Sequence, residues 1–222
     1  MYKKFKIGCW IIPLVLIVST SIAFAKRSKY NEVDVASGGS ISGIVKFTGQ
    51  VPPPVSINLK NEKNPEFCLE NAHPNAQGEL LIHHVEVKDG NLKDVVVFIQ
   101  DIEHGKSWEN KPLEIHFKDC QAFPKVAVIR KAPKKITRNM VAIENYDAGV
   151  LHNPKGFSIG ESTRKIFFKK WLLNKGARVD VTKSLQFIKR KRDSHFYIEC
   201  EQHLWMSVSS RVVWNPYHDI SK

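Results

Sequence analysis

The sequence predicts an all-β protein, built as an antiparallel sandwich or barrel. The 222-residue chain contains many short β-rich runs, including residues 95–99, 126–130 and 140–145. Turn signals rich in Gly, Asn and Pro separate these runs at the short, regular spacing that is typical of such folds. After the first 25 residues, no stretch has the apolar pattern of an amphipathic helix longer than two turns. Together these observations favour two packed layers of strands.

Residues 1–25 are predicted to be a signal peptide. Three lysines occupy the first six positions, an apolar run follows, and the run ends in Ala23-Phe24-Ala25, the small-x-small pattern of a cleavage site. A retained membrane anchor is the alternative, because residues 7–25 approach the length that spans a bilayer. Either way, we expect the protein to be exported, to the periplasm or another extracytoplasmic space.

Residues 26–39 are predicted to form a flexible tether, and residues 40–222 a single domain. At residues 41–47, apolar positions alternate with polar ones, which predicts an N-terminal β extension of the domain. Residues 60–79 are rich in Asn, Pro and charged residues, and we expect a long loop there.

The basic charge indicates acidic partners. The formal net charge is +12, and loss of the signal peptide with its three lysines leaves +9. An exported protein does not meet chromosomal DNA, so nucleic acid is not an expected partner, whereas acidic proteins or lipid headgroups at a membrane surface are. The run Lys189-Arg190-Lys191-Arg192 could steer such a partner, although a solvated turn explains it equally well.

Three cysteines remain in the mature chain, and an odd number requires a role for one of them. In an oxidising compartment two should pair. A bond between Cys68 and Cys120 would pin the predicted loop to the sheet and contribute about 4 kcal/mol in the chain-entropy estimate. Pairing of either residue with Cys200 remains an alternative at this stage.

A metal site is predicted near the C-terminus. The spacing Cys200-x2-His203-x2-Met206 offers a thiolate, an imidazole and a thioether within seven residues. Soft sulfur with imidazole selects copper or zinc, and zinc makes little use of Met. A copper electron-transfer site needs a second imidazole, for which His152 in the turn after residues 140–145 is the best candidate.

With these residues the mature chain resembles the cupredoxins, in particular the exported plastocyanin-like proteins of the methylamine-utilisation type. The similarity covers roughly residues 38–220. The residues that carry it lie in five segments: residues 39–49, 94–99, 119–124, 151–153 and 200–206. Leu204 departs from the pattern, because many of these proteins have Pro after the ligand histidine.

The resemblance implies a Greek-key β-sandwich that binds one type 1 copper through His152, Cys200, His203 and axial Met206. It also implies that Cys68 and Cys120 form the disulfide. In this interpretation His152 is the buried imidazole, and His203 is the exposed imidazole through which the electron leaves.

The function that these expectations predict is single-electron transfer between redox partners, such as a cytochrome or a copper oxidoreductase. An enzyme is not expected, since four protein ligands leave no open coordination position. Two alternatives remain: a copper storage or delivery module, and a metal-free binding domain with the same fold.

Overall fold

A computed structural model of the chain describes residues 30–109, 111–160, 163–190 and 192–222. The predicted signal peptide and residues 26–29 of the predicted tether lie outside these ranges. The strands, in chain order, are β1 (Asn31–Glu32), β2 (Val55–Asn58), β3 (Glu79–Ile82), β4 (Val87–Lys88), β5 (Asn91–Leu92), β6 (Val96–Phe98), β7 (His104–Gly105), β8 (Leu113–Lys118), β9 (Gln121–Phe123), β10 (Val126–Arg130), β11 (Val141–Asn145), β12 (Pro154–Ile159), β13 (Arg164–Lys169), β14 (Arg178–Asp180), β15 (His195–Cys200), β16 (Ser207–Val213) and β17 (His218–Ile220). The helical segments among the described residues are α1 (Pro65–Asn71) and the 3-10 helices Leu59–Asn61 and Thr182–Phe187.

Two sheets form the body of the domain. One has five strands in the order β10-β16-β15-β12-β13, and the other has four in the order β14-β11-β8-β9. Strands that are distant in sequence lie side by side, as β10 does beside β16 and β8 beside β11, both in parallel. These crossovers are typical of Greek-key sandwiches. The prediction of an all-β, Greek-key sandwich is confirmed.

The main hydrophobic core lies between the two sheets. Alternate residues of β8 and of β15 point inward, in keeping with the period of two of a strand. The core contains side chains from both sheets, among them Ile115, Phe117, Ile129, Ile143, Phe196, Ile198 and Val208. Burial of apolar side chains from two layers is what holds such a sandwich together.

A second, smaller core lies beside the sandwich, under a segment that we call the cap, residues 55–82. The cap consists of the hairpin of β2 and β3, the first 3-10 helix and α1. The core beneath it contains Leu59, Leu80 and the half-cystines Cys68 and Cys120, which are bonded to each other. The predicted loop at residues 60–79 is therefore largely ordered, and Cys68 lies on the helix α1.

The N-terminal β extension differs in detail from its prediction. Residues 41–47 do not form a strand: a single bridge joins Lys46 to Asn91, and Ile41 and Ile44 are largely exposed. Residues 45–47 do run beside the hairpin of β4 and β5, since the N–H of Leu92 donates to the Val45 carbonyl and the N–H of Phe47 donates to the Gly90 carbonyl, but the pairing is too short to make a strand. The extension instead contributes β2 and β3, and β1, within the predicted tether, pairs with β7.

The described residues contain no helix long and apolar enough to cross a membrane. The predicted signal peptide is not among those residues, so export remains a prediction from the sequence.

Candidate metal centre

Cys200 ends β15 with its side chain inside the sandwich. Phe196, Ile198 and Cys200 are all fully buried, because alternate residues of β15 face the core. Cys200 is the free cysteine of the described chain, which excludes its pairing with Cys68 or Cys120. Its sulfur is therefore available as a ligand atom.

The turn after β15 brings His203 and Met206 back to Cys200. The backbone N–H of Met206 donates to the His203 carbonyl at 2.9 Å, and the N–H of Cys200 donates to the Met206 carbonyl at 2.9 Å. Met206 is completely buried in the main core. The Cys-x2-His-x2-Met spacing thus folds into a tight turn that keeps all three side chains out of water.

His152 approaches Cys200 from the neighbouring strand. It lies two residues before β12, which pairs with β15 so that Pro154 is opposite Cys200. The backbone N–H of Asn153 donates to the Cys200 sulfur at 3.5 Å, and the N–H of Glu201 donates to the Asn153 carbonyl at 2.9 Å. The main chain of Asn153 therefore joins the two ligand segments, whereas its buried side-chain oxygen has no partner among the described residues.

Both imidazoles direct Nδ1 at the sulfur of Cys200, at 3.6 Å for His152 and 3.7 Å for His203. Their other nitrogens are engaged elsewhere. Nε2 of His152 donates to Oδ2 of Asp147 at 2.9 Å, and Nε2 of His203 donates to the Lys63 carbonyl at 3.2 Å. These bonds select the tautomer in which each Nδ1 has a free lone pair.

The three donor atoms of His152, Cys200 and His203 lie within 4.8 Å of one another, and all three residues are completely buried. A thiolate with two imidazole nitrogens is a donor set for copper or zinc. The residues present therefore fit a bound metal ion of this type. Met206 adds a buried thioether whose backbone is bonded to both His203 and Cys200.

The electrostatics of the metal-free site favour the thiolate. Burial raises the pKa of Cys200, but the hydrogen bonds that join its sulfur to His152, to His203 and to the N–H of Asn153 outweigh it and lower the pKa to about 6. Burial lowers the pKa of His152, but Asp147 and Cys200 outweigh it and raise the pKa above its ordinary value. At neutral pH the sulfur is therefore in its metal-binding form.

Asp147 supports the candidate site, a position that the sequence did not identify. Besides His152, its carboxylate accepts the backbone N–H groups of Asp119 at 2.6 Å and Cys120 at 3.1 Å. Both of these turn residues have positive φ, which is costly for side chains other than Gly. The carboxylate that holds this turn also orients the imidazole of His152. An Asp five residues before His152 was the signal available in the sequence.

The position of His203 corrects one expectation. The resemblance implied an exposed imidazole, yet His203 has no exposed surface. The cap covers it: the Lys63 carbonyl accepts its Nε2–H, and the Lys63 ammonium donates to the Gln202 side chain at 2.6 Å. The cap, which precedes the strands of the sandwich in sequence, therefore covers this edge of the candidate site.

The disulfide holds the cap against this histidine. The sulfurs of Cys68 and Cys120 lie within 4.8 Å of a ring nitrogen of His203. Trp205 packs edge-on against His203, with 5.2 Å between ring centroids, and donates its indole N–H to the Cys120 carbonyl at 2.9 Å. The disulfide predicted between Cys68 and Cys120 is present, and it lies next to the candidate metal centre.

No family model matches the chain, and no curated protein matches it. Solved structures similar to it include auracyanin from Roseiflexus castenholzii, with a TM-score of 0.33 and 14% identity over 48% of this chain and 99% of that one. A purple cupredoxin from Nitrosopumilus maritimus has a TM-score of 0.30 and 18% identity over 46% and 99%. The Cu-containing nitrite reductase of Thermus scotoductus SA-01 has a TM-score of 0.31 and 18% identity. The aligned part is 49% of this chain and only 24% of that enzyme. At these TM-scores the likenesses carry no argument about function. The case for a metal site rests on the donor atoms described above.

Proposed function

We propose that the protein is an exported type 1 copper protein that carries single electrons between redox partners. The observation that supports this most strongly is the orientation of the two imidazoles. Each commits Nε2 to an oxygen outside the site and turns Nδ1 to Cys200, at 3.6 and 3.7 Å. Two ring nitrogens that converge on one sulfur, while the opposite nitrogen of each ring is held by an oxygen, are the arrangement expected of ligands to a metal ion.

Copper fits the donor set better than zinc. Two imidazoles and one thiolate supply three ligands, and the fourth available donor is the weak thioether of Met206. Structural zinc sites use four strong ligands, whereas blue copper sites combine two His and one Cys with a long axial Met. When bound, copper would supply reversible one-electron chemistry.

The residues around the donors keep them in place. Asp147 fixes the ring of His152, the Lys63 carbonyl fixes the ring of His203, and the Met206 backbone closes the turn. A site held this firmly needs little rearrangement when its oxidation state changes, which favours fast electron transfer. Four protein donors also leave no position for a substrate, and this favours a carrier over an enzyme.

The experiment that tests the proposal is redox cycling of the copper-loaded mature chain. We expect an intense visible band that a mild reductant bleaches and an oxidant restores over many cycles, with copper retained throughout. Copper that passes to a chelator of Cu(I) on reduction would support the delivery alternative and contradict the carrier. A chain that binds no copper would leave only the metal-free binding domain.

A further inference from the structure

The copper site proposed above has two imidazole sides, and they differ in what packs behind each ring. On the His203 side, the ring is completely buried behind the Lys63 carbonyl and the disulfide of the cap. A partner that docks there meets the cap rather than the ligand. The efficiency of electron tunnelling falls steeply with distance and is better through bonds than across gaps, so a covered ligand edge is a poor exit.

The His152 side is joined to a surface loop by its own backbone. Residue 152 forms a bridge with Leu172: the N–H of His152 donates to the Leu172 carbonyl at 3.1 Å, and the N–H of Leu172 donates to the His152 carbonyl at 2.8 Å. The side-chain amide of Asn145 donates to the Leu172 carbonyl at 3.1 Å. The loop between β13 and β14 is thus hydrogen-bonded directly to a ligand residue.

The two neighbours of Leu172 point outward. Trp171 is 61% exposed and Leu173 is 59% exposed, while Leu172 itself is buried. Two exposed large apolar side chains beside a buried one are unusual on a monomer surface, and Trp is the residue most enriched at the centres of protein interfaces. We call Lys170, Trp171, Leu173 and Lys175 the Trp171 patch.

The charge around the Trp171 patch has one sign. Residues 164–178 contain six Lys or Arg and no Asp or Glu. Arg164 forms an ion pair with Glu199, Lys169 with Glu201, and Arg178 with Glu114. Lys170 and Lys175, which flank the two exposed apolar residues, have no ion-pair partner among the described residues. A partner surface with carboxylates around an apolar centre would complement this patch.

We propose that the Trp171 patch is the docking surface for an acidic redox protein, and that electrons enter and leave through the Leu172–His152 bridge. This inference rests on the proposed function. An anionic membrane would also be attracted to lysines around an exposed Trp. A membrane-binding surface, however, gains nothing from direct hydrogen bonds to a metal-ligand residue, whereas a redox partner does.

Two measurements test this proposal, with an acidic c-type cytochrome as the probe. In the first, the Cu(I) form of the mature chain is titrated with the cytochrome, and backbone amide shifts are followed by NMR. We expect the shifts to cluster at residues 169–175. Shifts that cluster instead on the cap or at residues 202–205 would overturn the docking surface. The same titration on the metal-free chain locates the docking surface even if the bound copper does not undergo reversible oxidation and reduction.

In the second measurement, electron-transfer rates to the cytochrome are compared between charge-reversal variants. Lys170→Glu/Lys175→Glu should lower the second-order rate about tenfold at low ionic strength. Lys134→Glu/Lys135→Glu is the matched control, because it changes the net charge equally at exposed residues that precede β11, at its far end from the ligands. Equal losses in both variants would overturn the proposal.

A pair of apolar variants separates the two sides of the site. Trp171→Ala should slow the reaction about tenfold, and Leu204→Ala, which truncates an equally exposed residue next to His203, should leave it unchanged. The reverse result would place docking on the cap side. Loss of sedimentation with phosphatidylglycerol vesicles in Trp171→Ala, with an unchanged rate to the cytochrome, would show that the patch binds membranes instead.

Discussion

The two histidines of the candidate site are equally buried but are held by different parts of the chain. His203 is held by the cap, through a carbonyl that lies 140 residues away in sequence. His152 is held locally, by Asp147 five residues earlier and by the backbone of Leu172. Access to the site is therefore asymmetric: one side is closed by a disulfide-bonded segment, and the other is connected to an exposed loop. A buried histidine can therefore be shielded from docking partners or connected to the protein surface, depending on which residues pack behind it.

Removal of the disulfide should have the largest effect, and the local opening that it causes should be confined to the cap. For Cys68→Ser/Cys120→Ser we expect the free energy of unfolding to fall by about 4 kcal/mol, since the bond spans 52 residues. Hydrogen exchange of the backbone amides of residues 59–71 should accelerate strongly.

In that variant the amides of His152 and Leu172, whose bridge does not involve the cap, should accelerate only as far as the loss of global stability requires, whereas the cap amides should accelerate further through local opening. Unchanged exchange in the cap would mean that packing over Leu59, and not the disulfide, holds it closed.

Asp147 contacts both His152 and the Asp119-Cys120 turn that carries the disulfide, so its removal should affect both sides. Asp147→Ala leaves the backbone N–H groups of Asp119 and Cys120 without their acceptor and frees the ring of His152. We expect a loss of about 3 kcal/mol of unfolding free energy and weaker metal binding, measured by denaturation and by competition with a chelator.

The matched control is Asp180→Ala. Asp180 also accepts two backbone N–H groups, from Asn139 at 2.6 Å and Thr182 at 2.8 Å, but it lies at the other end of β11. Asp180→Ala should lower the free energy of unfolding by about 1 kcal/mol and leave the metal affinity unchanged. Equal losses of affinity in the two variants would refute a specific role for Asp147.

Substitution of two tryptophans, one on each side of the site, should change the free energy of unfolding by smaller and different amounts. Trp205→Phe removes the indole hydrogen bond to Cys120 and should cost about 1 kcal/mol. Trp171→Phe changes a largely exposed side chain and should stay within about 0.5 kcal/mol. Chemical denaturation measures both values. A larger loss in Trp171→Phe would indicate that this residue has a structural role and would weaken its assignment to docking.

The smallest expected effect is the pH dependence of stability in the metal-free protein. The lowered pKa of Cys200 contributes stability that is complete above its unfolded value near 9.0 and is lost as the pH falls to about 6. The raised pKa of His152 contributes stability that is complete below its unfolded value near 6.5 and is lost as the pH rises through its folded value.

Across neutral pH the two contributions change in opposite directions, so they partly cancel in the free energy of unfolding. Cys200→Ser removes the Cys200 contribution together with one of the two partners that raise the pKa of His152, so the pH dependence of the variant should differ from that of the wild type. Ultraviolet thiolate absorption of the wild type should appear near pH 6. Its appearance near pH 9 would contradict the hydrogen bonds assigned to the sulfur.

Much of the sandwich could be predicted from the sequence, because alternation along a strand reports directly which face is buried. The inward position of Cys200 follows from the alternation of β15, and the turn to Met206 follows from the short spacing. The strand predicted at residues 41–47 was wrong because alternation shows that a face is apolar but not which strand lies beside it.

The closure of His203 could not be predicted in the same way. It depends on a contact between Lys63 and His203 across 140 residues, made by a main-chain carbonyl that carries no sequence signal. The exposure of Trp171 could not be predicted either, because Trp171, Leu172 and Leu173 are all apolar. Only the bridge between His152 and Leu172 decides which of the three points inward.

The claim on which everything else depends is that Cys200 binds copper together with the two histidines. The most direct measurement is the visible absorption spectrum, with the copper-to-protein ratio, of the mature wild type and of Cys200→Ala. We predict one copper per chain and an intense thiolate-to-copper band that is absent from the variant. A Cys200→Ala protein that keeps the full band, or a wild type that takes up zinc but never develops the band with copper, would contradict it.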